Sequence, residues 1–77
     1  MAMVTSLERD DRDFKSAHPT KLVAKYLVAK KSGMNVLQIN TYGSNDRDVP
    51  GKLSQTLQFN EQSARELFDV LQREFGF

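Results

Sequence analysis

Asn35-Val36-Leu37-Gln38-Ile39-Asn40-Thr41-Tyr42 alternates in character, and so does Leu53-Ser54-Gln55-Thr56-Leu57-Gln58-Phe59 after a polar loop. The reading of these two runs decides the fold. In the first, Leu37, Ile39 and Thr41 fall on one side and Val36, Gln38, Asn40 and Tyr42 on the other, the period-two signature of a half-buried strand. In the second, Leu53, Gln55, Leu57 and Phe59 alternate against Ser54, Thr56 and Gln58. One face of each run is richer in apolar groups and the other is polar, as expected of a sheet covered on one side only. Between them Gly43-Ser44-Asn45-Asp46-Arg47-Asp48 has the composition of a turn or loop, and Pro50-Gly51 marks a further bend.

Downstream the period changes. Ala64, Leu67, Phe68, Leu71 and Phe75 recur at helical spacing. Asn60 is a good N-cap, Glu61 sits where the helix dipole favours an acid, and Gly76 can take the left-handed conformation that stops a helix. This helix is expected to bury its stripe on the sheet, using Leu37, Ile39, Leu57 and Phe59. Val70 lies off the stripe. Three of the five phenylalanines fall within Phe68–Phe77, which leaves apolar surface at the helix end and favours a subunit contact over a ligand pocket.

Upstream, Lys21–Lys31 admits two readings. As a strand it is rich in β-formers (Val23, Tyr26, Val28) and runs into Ser32-Gly33, a two-residue turn before Met34. As a helix it would have Thr20 as N-cap and Gly33 beyond its end, with Leu22, Val23, Tyr26 and Leu27 on one side. The strand is preferred, because the next segment needs an antiparallel neighbour. Residues 1–18 read as a flexible N-terminal arm of dense alternating charge, with Phe14 the one large apolar group able to dock it. Residues 19–77 then form a single domain. The expected class is α+β: a small, curved antiparallel sheet of three to four strands packed on one C-terminal helix.

With 77 residues, the chain is one small domain, which buries only about 60% of the surface it exposes unfolded. Natural scaffolds of this size often depend on a disulfide, a metal or a second subunit. There is no cysteine, and the single His18 cannot build a zinc site by itself. Oligomerisation remains, and a homodimer is the expectation. No apolar run approaches the roughly 20 residues of a membrane span, and Met1–Asp13 lacks the pattern of a secretory signal. The expected location is cytoplasmic.

Nothing here reads as an enzyme. Asp46 and Asp48 bracket Arg47 in a loop and are far better explained as solvated charges than as an acid–base pair. The serines lack an activating context, and the four glycines form no phosphate-cradling motif. No cofactor or metal is implied. The charge distribution says more than the formal net charge of +1. From Lys15 to Asn45 there is no acid, while Lys15, Lys21, Lys25, Lys30 and Lys31 all fall inside; the final helix is slightly acidic. These lysines either keep an edge strand soluble or form one basic face of a molecule with two electrically different sides. A sheet face with Lys25 or Lys30, Gln38, Asn40, Tyr42, Ser54, Thr56 and Gln58 combines cations, amides, hydroxyls and a ring. That mixture suits single-stranded nucleic acid, in which lysines follow phosphates and a ring stacks on a base for about 1–3 kcal/mol. It also suits an ordinary polar outer face.

The order of elements resembles the single-stranded-DNA-binding domain of the transcriptional positive cofactor four type, with its bacterial and phage relatives. The resemblance runs over roughly Lys25 to Phe75. Lys25-Tyr26-Leu27-Val28-Ala29-Lys30-Lys31-Ser32-Gly33 stands for that family's basic strand and turn. Asn35–Tyr42 stands for its second strand, Val49-Pro50-Gly51-Lys52 for its Pro-Gly-Lys element, and Leu57-Gln58-Phe59-Asn60-Glu61-Gln62 for the approach to its closing helix. The family often carries a second basic residue and a glycine after Pro-Gly-Lys, where this chain has Leu53-Ser54, and tryptophans that this chain lacks. The resemblance implies a homodimer whose closing helices pair, with Leu67, Val70, Leu71 and Phe75 in the interface. It also implies non-specific binding of unpaired DNA, with Lys25, Lys30, Lys31, Tyr42 and Lys52 as contacts. The polar-face reading adds Gln38 and Asn40 and admits single-stranded DNA or RNA. Such a protein would act as a transcription or DNA-metabolism regulator. The alternative is a small protein-interaction factor, of the kind a phage carries, that binds and modulates a host protein without nucleic acid.

Overall fold

A computed structural model describes residues 1–43 and 52–77. The expected loop 44–48, with its Asp46/Asp48 pair, and the Val49-Pro50-Gly51 bend lie outside the described residues. The elements are β1 (Ala2–Val4), β2 (Ala24–Lys31), β3 (Met34–Tyr42), β4 (Leu53–Phe59) and α1 (Glu61–Phe75). They form an α+β fold: one open four-stranded sheet, ordered β1-β4-β3-β2, and a single C-terminal helix.

The strand reading of Lys21–Lys31 holds over Ala24–Lys31. β2 and β3 form a hairpin whose last pair is Lys31 opposite Met34. The two residues between them, Ser32 (φ 52°) and Gly33 (φ 74°), are both left-handed. Paired left-handed residues give the tight turn whose twist matches that of the flanking strands. Gly33 takes that geometry without cost, and Ser32 is strained there. β3 and β4 pair antiparallel as the alternation requires, with Leu37 opposite Phe59 and Ile39 opposite Leu57. A register shift between Thr41 and Tyr42 brings Tyr42 opposite Leu53.

Two differences from the sequence reading matter. The sheet is mixed, because Ala2–Val4 joins it as a strand parallel to β4, with Val4 beside Phe59. The charged run after it conceals this strand in the sequence, and the partner of so short an apolar segment lies more than fifty residues away. The arm is also fastened to the helix: the Leu7 N–H donates to Glu66 Oε1 at 2.7 Å and the Ser63 hydroxyl to the Val4 carbonyl at 2.6 Å.

The second difference is how little one chain buries. The helix reaches β3 and β4, and Phe59, only 6% exposed, is the one buried hydrophobic residue among those described. Leu37 and Ile39 are half-buried, while Leu57 is 46% exposed. The expected burial of the whole helical stripe on the sheet is therefore partial. Ser63, Leu67 and Val70 lie toward the protein, whereas Phe68 (53% exposed), Leu71 and Phe75 (67%) do not. At about 100° per residue, the buried side and the apolar stripe are centred roughly a quarter-turn apart.

The helix ends follow the sequence closely. Asn60 is the N-cap: its Oδ1 accepts from the Ser63 N–H at 2.9 Å, and Ser63 Oγ accepts from the Asn60 N–H at 3.0 Å. Gly76 closes the helix in the left-handed conformation, its N–H donating to the Gln72 carbonyl at 3.1 Å.

Candidate nucleic-acid interface

Strand register sorts the side chains, because residues paired across antiparallel strands share a face. Tyr26 and Val28 lie with Ile39 and Leu37, and hence with Leu57 and Phe59, on the apolar face. Lys25 lies with Asn40 and Thr56, and Leu27 with Gln38 and Gln58, on the polar face.

The polar face carries a continuous side-chain ladder. Gln58 Nε2 donates to Gln38 Oε1 at 2.9 Å, Gln38 Nε2 donates to Asn40 Oδ1 at 3.0 Å, and Thr56 Oγ1 donates to the same Asn40 oxygen at 3.0 Å. Asn40 and Thr56 are buried among these neighbours. Side chains packed this tightly in a sheet must satisfy one another, and the chain of donors fixes the orientation of each amide. Gln38 and Asn40 thus form a rigid floor with much of their hydrogen-bonding capacity turned inward. The sequence shows amides on one face but not that they spend their polarity on each other.

At the end of β3, the ammonium of Lys25 stands 5.2 Å from the centroid of the Tyr42 ring, within cation–π range. The exposed Lys52 belongs to the same end of the sheet: its carbonyl accepts from the Gly43 N–H at 2.7 Å, just beyond Tyr42. Lys31 occupies the far end of β2, opposite Met34. At about 3.3 Å per residue, Lys25 and Lys31 are roughly 20 Å apart along one face. Lys30 pairs with Asn35 and alternates onto the apolar face. Of the candidate contacts, Lys25, Lys31, Gln38, Asn40 and Tyr42 thus share the polar face, Lys52 flanks it, and Lys30 is turned away.

The helix residues anticipated at a subunit contact divide differently. Leu71 and Phe75 are exposed, Leu67 is half-buried, and Val70 lies half-buried in a shallow cleft of about 390 Å³ shared with Leu7, Glu8 and Arg9 of the arm. Phe77, missed by the spacing because it lies beyond the helix, stacks on Phe75 with ring centroids 5.5 Å apart. In the arm, Asp10 accepts from the Arg12 N–H at 2.9 Å and meets its guanidinium at 3.5 Å; these bonds hold its carboxyl below the usual range. Among the described residues no three His, Cys, Asp or Glu side chains are grouped to hold a metal, and no helix is long and apolar enough to cross a membrane.

Comparison of the chain with protein-family models, with curated proteins and with solved structures returned no match.

Proposed function

We propose that this protein is a non-catalytic single-stranded nucleic-acid-binding protein that acts as a homodimer. The observation that carries the reading is the juxtaposition of Lys25 and Tyr42 on the polar sheet face, with Lys31 at its other end. In this reading the two lysines engage phosphates several nucleotides apart, Tyr42 offers a ring to a base, and the amide ladder supplies a stiff floor. Because the ladder satisfies itself, recognition depends on charge and stacking more than on base edges. Lys52 adds charge at the Tyr42 end. The dimer reading is supported by the single buried apolar side chain among the described residues and by the exposed Phe68, Leu71 and Phe75, apolar surface of the kind that marks an association site. The resemblance described above supports both parts. A role in transcription or DNA metabolism in the cytoplasm follows from the same reading.

The test is titration of a single-stranded and a double-stranded oligonucleotide at two salt concentrations. Single strands bind more tightly, and affinity falls steeply with salt. Replacing Lys31 by Ala lowers the salt slope by about 0.7, the share of one single-strand phosphate contact. Lys30→Ala, on the opposite face, leaves the slope nearly unchanged. Absence of binding at low salt, or equal effects from the two lysines, overturns the assignment of this face and leaves the protein-interaction factor as the better reading.

A further inference from the structure

β2 is the last strand of the sheet, and among the described residues its outer edge pairs with nothing. All eight of its residues are exposed. It contains no proline or bulge, and its register with β3 is unbroken from Ala24 to Lys31. A straight, open edge of this length is a template for another strand.

Charge decides what that strand can be. Were two copies to join edge to edge about a two-fold axis, two seven-residue registers keep faces matched, one centred on Val28 and one on Leu27. The first sets Lys25 against a second copy's Lys31 at both ends, and like charges directly opposite destabilise a pair. The second sets Lys25 against Ala29 and Lys30 against Ala24, which leaves the lysines without a counter-charge. A strand of opposite sign answers all three lysines. We propose that the outer edge of β2 is a docking strip for an extended acidic segment of another protein, which adds to the sheet as a fifth strand. This surface is the rim of the sheet; it shares Lys25 and Lys31 with the polar face, is separate from the helix, and does not rest on nucleic-acid binding.

The register specifies the ligand. Carboxylates belong opposite Lys25 and Lys31 on the polar face and opposite Lys30 on the other. Apolar side chains belong opposite Tyr26 and Val28, which are 75% and 51% exposed, and opposite Leu27. Read antiparallel to β2, the pattern is acid, acid, any residue, three apolar residues, acid.

The probe is the synthetic peptide Glu-Glu-Thr-Val-Leu-Val-Glu, titrated into the isotope-labelled full chain and followed by amide shifts and amide exchange. Shifts centred on Ala24–Lys31 and slowed exchange in that strand are expected. Two further versions of the peptide carry N-methyl groups on one or the other alternate set of residues. The version blocked on its pairing side loses at least about tenfold in affinity, while the other is retained, because only one set of amides faces the edge. Equal binding by both versions means that association is purely electrostatic and overturns the proposal. So do shifts that fall outside β2, or undiminished binding when the glutamates are replaced by lysines.

Discussion

Ser63 joins three parts of the molecule through one hydroxyl. It is fully buried, accepts from the Asn60 N–H at 3.0 Å, and lies 2.6 Å from the Val4 carbonyl, to which it donates. Its single proton cannot also serve Asn60, so the shorter bond to β1 takes it. Ser63→Ala removes the acceptor for one backbone N–H and the donor for a carbonyl 59 positions away. The expected loss is about 1–3 kcal/mol, read as a lower urea midpoint with an unchanged slope. A loss within the noise of a surface substitution would mean that water replaces both bonds. At this scale the sequence discloses half of the arrangement. Asn60 announces itself as a cap by residue type and position, whereas nothing near Ser63 points to Val4.

The elements were legible wherever a local rule suffices. Alternation located β3 and β4, helical spacing and caps located α1, and Ser32-Gly33 located the β2–β3 turn, because each depends on residues a few positions apart. β1 depends on a different kind of information. Three apolar residues carry no periodicity, and their strand character is conferred by the open edge of β4 together with Ser63. Deleting residues 1–4 is therefore expected to speed amide exchange along Leu57–Phe59 and in the first turn of α1, while the β2–β3 hairpin keeps its protection. Uniformly unchanged exchange would show that the parallel strand contributes nothing to the sheet. The candidate site divides in the same way. Gln38, Asn40 and Tyr42 could be assigned to one face by counting, but whether Lys25 and Lys31 or Lys30 joins them became readable only once pairing with Asn40, Met34 and Asn35 fixed the register.

Taken as a whole molecule, the single chain is short of core. Phe68, Leu71 and Phe75 form an apolar flank on the side of α1 turned from the arm, and Tyr26, Val28 and Leu57 remain open on the apolar sheet face. Phe68→Asp combined with Leu71→Asp is expected to convert a dimer to a monomer in sedimentation experiments. Helix content should be retained at concentrations where the monomer stays folded, since neither side chain is buried within one chain. An unaltered mass would move the subunit contact elsewhere.

By itself the sequence determined the identity of β3, β4 and α1 and the helix caps, since alternation, spacing and capping are properties of neighbours along the chain. It also located the stretch from Lys15 to Asn45 that holds five lysines and no acid. Tertiary structure alone decided that Ala2–Val4 is a strand, that Lys25 and Lys31 rather than Lys30 join the polar face, that the amides of Gln38 and Asn40 are committed to one another, and that the helix stripe stays half uncovered. Those outcomes depend on which distant segments meet and in what register, and such pairings are selected by the free energy of the assembled sheet rather than by any local run of residues.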